Sequence, residues 1–291
     1  MTALFIGHAY IDITFLADHI PTGDEKAVAE NYAVSFGGNA VSAAFCAAKL
    51  GAASTLICNL APDHLGRLFT TMADDYGLAL LPVEVARSSP SFIMPKDQKR
   101  AILRCRDAGY EDTIPNHSLE DVKILHVDGH IPHASLFYAE KCRERGIITS
   151  LDGGGLRPGF DKLIKQIDVA IVAERLAEQM NLNHHQMLDY LRDNGVKVGG
   201  ITRGSKGLLW FENSSELKEL PAIPLPAEQV VDTNGAGDIF HGAYVYSYHQ
   251  NPQKPWEEHF KFARAAATFA VQNLGNHASC PTLEQLKPYL K

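Results

Sequence analysis

The residues best suited to chemistry lie in one run, Asp232-Thr-Asn-Gly-Ala-Gly-Asp238. Its small residues Gly235, Ala236 and Gly237 allow the backbone to turn sharply and to approach a ligand closely. A helix that starts at this turn presents free N–H groups and the positive end of its dipole, an arrangement that binds phosphate. Asp238 falls in the first helical turn, where a carboxylate either caps the helix or accepts a proton from a hydroxyl that attacks phosphorus.

The flanking residues predict the elements that hold this turn. The apolar run Gln229–Val231 predicts the end of a strand, and Ile239–Tyr244 continues the helix. Most glycine turns before helices bind no nucleotide, so Gly-Ala-Gly-Asp alone is a weak signal. The complete run Asp-Thr-x-Gly-Ala-Gly-Asp is more specific. It resembles the C-terminal signature of the ribokinase-like (PfkB) carbohydrate kinases.

Length and composition limit the class of protein. A chain of 291 residues with 45% hydrophobic and 21% charged residues is typical of one large α/β domain with a small lid. The net charge of −7 argues against a general nucleic-acid binder. The absence of a signal peptide or a long apolar run predicts a cytoplasmic protein without a membrane span. Five dispersed cysteines indicate reduced thiols: Cys46, Cys58, Cys105, Cys142 and Cys280.

The alternation of elements along the chain predicts the fold. Strands are predicted at 4–7, 55–58, 122–127, 147–151, 168–172 and 198–201, and helices at 41–50, 63–76, 135–145, 173–180, 184–194, 257–273 and 282–290. Strands that alternate with helices favour a mostly parallel sheet with helices on both faces. The fold class expected is therefore α/β, a three-layer αβα ribokinase-like fold, with residues 1–291 forming one kinase domain.

Two segments with β-type patterns do not fit that alternation. They lie near residues 13–36 and 88–107, and each is predicted to hold a pair of short strands around a polar connection. The resemblance implies that these strands form a small β lid over the sugar. Exposed lid strands also make a homodimer possible.

The polar residues near the N-terminus are candidates for sugar binding. Asp12 follows the first strand, at the edge of the sheet where α/β proteins bind ligands, although it could be an ordinary turn residue. Gly38 and Asn39 open the first helix, which Asn39 could simply cap, and Gly51 ends that helix. The resemblance implies that Asp12, Gly38 and Asn39 contact the sugar.

The segment Thr202-Arg203-Gly204-Ser205-Lys206-Gly207 also follows a strand, and alone it is most often an ordinary turn. It resembles the family's nucleotide-binding segment, so the implied donor is ATP with Mg²⁺. The nucleotide contacts implied by the resemblance are Thr202, Arg203, Gly204, Gly207, Thr233 and Asn273.

The metal ligands are less well defined. Asp152 ends a strand at the expected edge of the sheet, and the resemblance implies that an acidic residue there lies near Mg²⁺. The family's Asn-x-x-Glu motif has no Asn here, and Glu174 is the substitute candidate. The histidines His126, His130 and His133 lack the pattern of a closed zinc site, and His130 is instead a candidate substrate contact.

The substrate class is left open by the sequence. Arg104 and Arg106 share one face of the second lid segment, and Lys26 lies in the first. If these cations face the cleft, they favour an acidic sugar such as a 2-keto-3-deoxy sugar acid or a sulfo-sugar. If they are surface charges, neutral ketoses remain, and nucleosides are less favoured.

Two other classes of function are compatible with parts of the sequence. A non-catalytic sugar- or nucleotide-binding regulator is compatible with the missing Asn, but the complete glycine turn and Asp238 argue against it. A NAD-dependent oxidoreductase would require Gly-x-Gly-x-x-Gly after the first strand, where this chain reads Gly7-His-Ala-Tyr-Ile-Asp12. The hypothesis is therefore a kinase that phosphorylates a hydroxyl of a small sugar, with Asp238 as general base.

Overall fold

The computed structural model describes residues 1–96, 99–107, 109–110, 114–213 and 216–290. Thirteen strands lie in these residues, and they form two sheets. In chain order they are β1 (Thr2–Ile6), β2 (Tyr10–Leu16), β3 (Asn31–Gly37), β4 (Ser54–Leu60), β5 (Ala79–Glu84), β6 (Pro90–Lys96), β7 (Lys99–Arg104), β8 (Val122–Val127), β9 (Ile148–Gly153), β10 (Val169–Ala173), β11 (Val198–Thr202), β12 (Leu208–Glu212) and β13 (Lys218–Leu220).

The larger sheet has the order β13-β12-β11-β10-β9-β8-β1-β4-β5. Its neighbours from β11 to β5 pair in parallel, and β12 and β13 add an antiparallel edge. Because parallel strands share one direction, the carboxyl ends of β1, β8, β9 and β10 meet at one edge of the sheet. That edge is where the candidate site residues from these strands come together.

Helices cover both faces of this sheet. Those in the described residues are α1 (Asn39–Leu50), α2 (His64–Asp75), α3 (Pro132–Glu144), α4 (Phe160–Leu163), α5 (Glu174–Gln179), α6 (His184–Asp193), α7 (Ala236–Gln250), α8 (Trp256–Ala270), α9 (Gly275–Ser279) and α10 (Leu283–Leu286). Strand β1 shows the two layers: Phe5 packs into the core beneath α1, α7 and α8, whereas Leu4 and Ile6 pack into the core beneath α3 and α6. The predicted three-layer α/β architecture is confirmed.

The smaller sheet has the order β3-β2-β6-β7 and is built from both segments predicted to hold lid strands. Strand β2 pairs antiparallel with β3 and parallel with β6, which pairs antiparallel with β7. The sequence did not reveal that the two segments pair with each other. Part of the polar turn predicted between β6 and β7, at residues 97 and 98, lies outside the described residues.

Several elements differ from the sequence prediction. The strand expected at 229–231 is wrong, because a 3₁₀ helix at Ala227–Gln229 stands there. The backbone N–H groups of Val231 and Asp232 donate to the carbonyl of Val271 at the end of α8 instead of to a sheet. Strands β5, β12 and β13 and helix α9 were not predicted. No helix in the described ranges is long and apolar enough to cross a bilayer.

Helices α1 and α7 approach each other closely, and a glycine permits this. A Cβ atom at Gly242 would lie 2.4 Å from the carbonyl oxygen of Ala43 and 2.7 Å from the Cβ of Cys46. Because real Cβ contacts are never this short, α7 can occupy its place against α1 only without a side chain at this position. The contact positions the start of α7 relative to the start of α1.

We expect Gly242→Ala to lower the free energy of unfolding by about 1–2 kcal/mol, because overpacking outweighs alanine's better helix propensity. Urea unfolding followed by circular dichroism measures the change. The matched control is Gly237→Ala in the first turn of α7, where nothing lies within 4 Å of the added Cβ. Equal stability of Gly242→Ala and the wild type would refute the packing argument.

Candidate active site

The turn before α7 is held from two sides. Gly235 has a positive φ of 75°, and a Cβ there would lie 2.0 Å from Oδ1 of Asn276. The buried Asp232 accepts the backbone N–H groups of Asn234 at 2.8 Å and Gly275 at 3.3 Å. Asn276 in α9 donates its Nδ2 to the carbonyl of Phe36 at 2.8 Å. The turn is therefore fixed to α9, and through Asn276 to the end of β3.

A chain of polar contacts links α7 to the start of α1. Asp238 and His241 lie three residues apart on α7 and so share a face of the helix. Nε2 of His241 is 3.6 Å from Oδ2 of Asp152, which accepts a hydrogen bond from Nδ2 of Asn39 at 3.2 Å. The structure thus brings α7, Asp152 and Asn39 together at the carboxyl end of β9.

Asp12 belongs to β2, and its buried carboxylate lies against the Gly37-Gly38 turn. A Cβ at Gly37 would lie 2.2 Å from Oδ2 of Asp12. Gly38 has a φ of 109°, and a Cβ there would lie 2.1 Å from the carbonyl oxygen of His8. Both glycines are thus required for the close approach of β2 to the start of α1. Asp12 was expected just beyond the first strand but instead lies within the second.

Asp128 and His130 follow β8, and Asp128 is nearly inaccessible to solvent. Its carboxylate accepts the backbone N–H of Ala40 at 3.1 Å and that of His130 at 2.9 Å. Burial acts to raise the pKa of Asp128, but the His130 ring, 3.2 Å away, and these N–H donors outweigh burial and hold the pKa at about 2. Asp128 is therefore a fixed negative charge that ties α1 to β8.

A buried polar chain extends beneath Asp152. Nδ1 of His241 lies 2.9 Å from the Tyr244 hydroxyl, which is 2.7 Å from Oγ of Ser150. Ser150 in turn lies 2.9 Å from Nδ1 of His126. Burial lowers the pKa of both histidines to about 3, so their imidazoles are neutral at pH 7. Burial also raises the pKa of Asp152, to about 6.

The predicted nucleotide segment lies at the end of β11. Oγ1 of Thr202 bonds the carbonyl of Val172 at 3.4 Å, and the Arg203 guanidinium pairs with Glu219 at 3.1 Å. Gly204 and Gly207 have positive φ values of 55° and 83°. Thr233 is half-buried in the turn before α7, and Asn273, after α8, bonds the carbonyl of Phe269 at 2.9 Å. To contact the nucleotide, the Arg203 guanidinium would have to leave its ion pair with Glu219 and pair with a phosphate instead.

The two metal candidates differ in accessibility. Asp152 is 5% exposed, and one of its oxygens is engaged by Asn39. Glu174, at the carboxyl end of β10, is about one-third exposed and pairs with His184 at 3.1 Å. Within the described residues, no three His, Cys, Asp or Glu side chains group to hold a metal ion. Mg²⁺ commonly keeps waters and binds one or two carboxylates together with substrate phosphates.

Two arginines contact His130 and a third stacks on the Tyr10 ring, and one of the three, Arg157, was not a candidate. Nη2 of Arg106 donates to the Tyr110 hydroxyl at 3.2 Å and to the carbonyl of His130 at 3.4 Å. Nε of Arg157 donates to Nε2 of His130 at 3.0 Å. The Arg104 guanidinium stacks on the Tyr10 ring, 4.6 Å from its centroid.

Lys26 is exposed in the connection between β2 and β3, and the contacts described above do not include it. It lies in the hairpin at the other edge of the small sheet from β7. The structure therefore brings Arg106 to His130 and Arg104 to the Tyr10 ring, whereas Lys26 lies in the other hairpin of the small sheet.

Sequence reasoning missed several residues that build the site. Asp128 carried a signal, since it directly follows a predicted strand at the ligand-binding edge. Arg157 carried a weaker one, because it follows the glycine run after Asp152. Tyr110 and Asn276 carried none, since their partners lie far away along the chain: Nδ1 of His8, 102 residues away, is 2.5 Å from the Tyr110 hydroxyl.

The chain belongs to the pfkB family of carbohydrate kinases, because the family model described as "pfkB family carbohydrate kinase" matches residues 2–283. The resemblance inferred from the signatures is thereby confirmed, and the protein is a carbohydrate kinase. This excludes the oxidoreductase alternative. The family assignment does not state which sugar is phosphorylated.

Individual relatives cover nearly the whole chain. A ribokinase from Arabidopsis thaliana is 26% identical over an alignment of 307 positions, which covers 98% of this chain and 80% of that protein. A deoxyribokinase from Salmonella typhi is 24% identical, covering 100% and 99% of the two chains. The solved structure of Arabidopsis thaliana ribokinase complexed with ribose and ATP has a TM-score of 0.80 and 27% identity, covering 100% and 98%.

Proposed function

We propose that the protein, acting as one kinase domain over residues 1–291, transfers the γ-phosphoryl group of ATP to a hydroxyl of a small sugar or sugar derivative. The observation that carries this proposal is the link between two ends of the site. Asp238 lies in the first turn of α7 behind Gly235, and His241 on the same helix face adjoins Asp152, which binds Asn39 at the start of α1. A phosphate-binding turn and a sugar-binding helix start are thus held beside one another.

In the proposed reaction, Asp12, Gly38 and Asn39 hold the sugar hydroxyls. The carboxylate of Asp238 accepts the proton of the attacking hydroxyl as its oxygen bonds to the γ-phosphorus and the bond to the leaving ADP oxygen breaks. Gly235 carries no capping side chain, so the N–H groups of Ala236 and Gly237 lack partners within the helix. These N–H groups stabilise the charge on the transferring phosphoryl oxygens.

The remaining candidates are assigned to the nucleotide. Thr202, Arg203, Gly204 and Gly207 would bind ATP together with Thr233 and Asn273. Mg²⁺, held by Glu174 and the phosphates with Asp152 nearby, would neutralise phosphate charge when bound. Relatives support ATP as donor, because an Arabidopsis thaliana ribokinase has been solved with ribose and ATP.

The test is ADP release from Mg·ATP against a panel of ketoses, aldoses, sugar acids, sulfo-sugars and nucleosides. We expect sugar-dependent ADP release, with the phosphosugar identified by ³¹P NMR. ATP binding without turnover of any compound would instead favour the non-catalytic regulator. Turnover confined to nucleosides would replace the sugar with a nucleoside.

We also propose that two copies of the chain associate through the small sheet. Its face away from the site carries Phe15, Tyr32, Phe92 and Leu103, with Phe92 opposite Leu103 and 5.3 Å between the Phe15 and Phe92 rings. Tyr32 is 66% and Leu103 73% exposed, and a contiguous apolar patch of this kind is typical of an interface.

We expect sedimentation velocity to show a dimer for the wild type and a monomer for Leu103→Glu, because a buried carboxylate would face apolar side chains. Leu283→Glu, at an exposed leucine in α10, is the matched control and should remain dimeric. A monomeric wild type at micromolar concentration would contradict the proposed interface.

A further inference from the structure

Arginines from the small sheet and from the large sheet lie around His130 and the Tyr10 ring. Arg104 ends β7 and Arg106 follows it, whereas Arg157 follows β9. Arg106 and Arg157 meet at His130, one through its carbonyl and the other through its ring. We define Arg104, Arg106 and Arg157 as the arginine cluster.

The cluster has excess positive charge. No ion pair between described residues includes any of its three guanidinium groups. The neighbouring carboxylate, Asp128, is buried and already accepts two backbone N–H groups beside the His130 ring. Burial, followed by the charge of Arg106, lowers the pKa of His8 to about 3. Like charges held together repel one another, and a bound anion would relieve that repulsion.

The register of the small sheet fixes where the cluster lies relative to the sugar. Asp12 in β2 is opposite Ser91 in β6, and Ser91 is opposite Arg104 in β7. Side chains of directly opposed residues share a face, so Asp12, Ser91 and Arg104 point to the same side of the small sheet. Oγ of Ser91 also accepts a hydrogen bond from Nε of Arg104 at 3.1 Å. With strands about 4.8 Å apart, the backbones of Asp12 and Arg104 are about 10 Å apart.

The other edge of the small sheet adjoins the catalytic turn. Strand β3 precedes Gly38, and Asn276, which lies under Gly235, donates to Ser35 and Phe36 of this strand. The sheet therefore runs from the phosphoryl-transfer end at β3, past Asp12 in β2, to Arg104 in β7. A sugar bound by Asp12 has one end toward Asp238 and the other toward the arginine cluster.

We propose that the arginine cluster binds an anionic group of the substrate, so that the acceptor is an acidic sugar phosphorylated at the end remote from its charge. The inference rests on the proposed kinase function and specifies its substrate class. Guanidinium groups from two sides offer paired N–H donors to a carboxylate, sulfonate or phosphate, three anions with the same hydrogen-bonding requirement. Hydrogen bonds to Tyr110 and to the His130 carbonyl orient Arg106, and a hydrogen bond to the His130 ring orients Arg157.

The test compares anionic and neutral sugars in the wild type and in three variants, Arg104→Met, Arg106→Met and Arg157→Met. The sugars are 2-keto-3-deoxygluconate, 6-deoxy-6-sulfofructose, fructose 6-phosphate and neutral fructose. Steady-state kcat/KM is measured with Mg·ATP, and sugar binding without ATP is measured by calorimetry. Arg87→Met, at an exposed arginine outside the cluster, is the matched control.

We expect at least one anionic sugar to be preferred over fructose. A comparison of turnover among the three anionic sugars shows whether the cluster fits a carboxylate, a sulfonate or a phosphate. Each cluster variant should lower kcat/KM for that sugar by about 10–100-fold, the worth of a charged hydrogen bond, and for fructose by less than about 3-fold. Arg87→Met should change neither. Thermal unfolding of each variant excludes loss of fold as the cause.

Two outcomes would overturn the proposal. One is efficient turnover of fructose with equal losses for charged and neutral sugars in the variants, which would leave the kinase function standing. The other is failure of all three anionic sugars both to bind and to react. Binding of an anionic sugar that is lost in the variants, without turnover, would support the cluster's role and count against the kinase function instead.

Discussion

Replacement of Asp238 by Asn should reduce kcat by about 10²–10⁴-fold while the fold and ATP binding are kept, the usual contribution of a general base. Asn preserves the size of the side chain at the first turn of α7 but cannot accept the hydroxyl proton. Substrate binding is assigned to Asp12, Gly38 and Asn39, so KM for the sugar should change little. Steady-state ADP release measures both constants, and calorimetry measures ATP affinity.

The control for this prediction is Asp74→Asn, which removes an exposed carboxylate of α2 far along the chain from the site. It should leave kcat and KM unchanged. Circular dichroism and thermal unfolding verify that Asp238→Asn is folded. A kcat near that of the wild type in a folded Asp238→Asn variant would show that another group, or solvent, takes the proton.

The parts of the fold that could be predicted were those with local signals. Helix α1 was delimited by Gly38 and Gly51, and the structure ends it at Gly51 in a left-handed conformation with a φ of 105°. Strand β8 has the predicted bounds Val122–Val127, because its apolar residues, interrupted only by Lys123 and His126, are typical of a buried parallel strand. The missed strands β5 and β13 form the two edges of the large sheet, where pairing rather than pattern defines them.

The Asp232 turn shows why local patterns can mislead. The apolar run before it resembles a strand, yet its N–H groups find a partner in Val271, which no local pattern could reveal. Asp12 and Asp152 were expected at one edge of the sheet, because each was predicted to lie at the carboxyl end of a strand. Arg157 and Tyr110 could not be placed with Arg106, because that requires knowing how the small sheet folds over the large one.

Three buried histidines without a proposed catalytic role predict that the folded state loses stability in acid. His8, His126 and His241 are buried, and burial lowers the pKa of each to about 3, against an ordinary value of 6.5. The unfolded chain therefore binds protons that the folded protein cannot, and stability present above pH 6.5 is lost as the pH falls toward 3. At pH 5 each histidine accounts for a loss of about 2 kcal/mol.

Asp152 acts in the opposite direction over part of this range. Its folded pKa of about 6 lies above the ordinary 3.8, so acidification from pH 6 to pH 4 favours the folded state, by about 1 kcal/mol at pH 5. The three histidines outweigh this single carboxylate. Urea unfolding should therefore give a free energy of unfolding several kcal/mol lower at pH 5 than at pH 7.

The variant His126→Asn isolates one of these protonations, because Asn can still bond Ser150 but has no titrating ring. It should be less stable than the wild type at pH 7, since the smaller side chain leaves a cavity. The difference in its free energy of unfolding between pH 7 and pH 5 should nevertheless shrink by about 2 kcal/mol. His185→Asn, at an exposed histidine in α6, should leave that difference unchanged. An undiminished pH dependence in His126→Asn would mean that the proton uptake on unfolding occurs elsewhere.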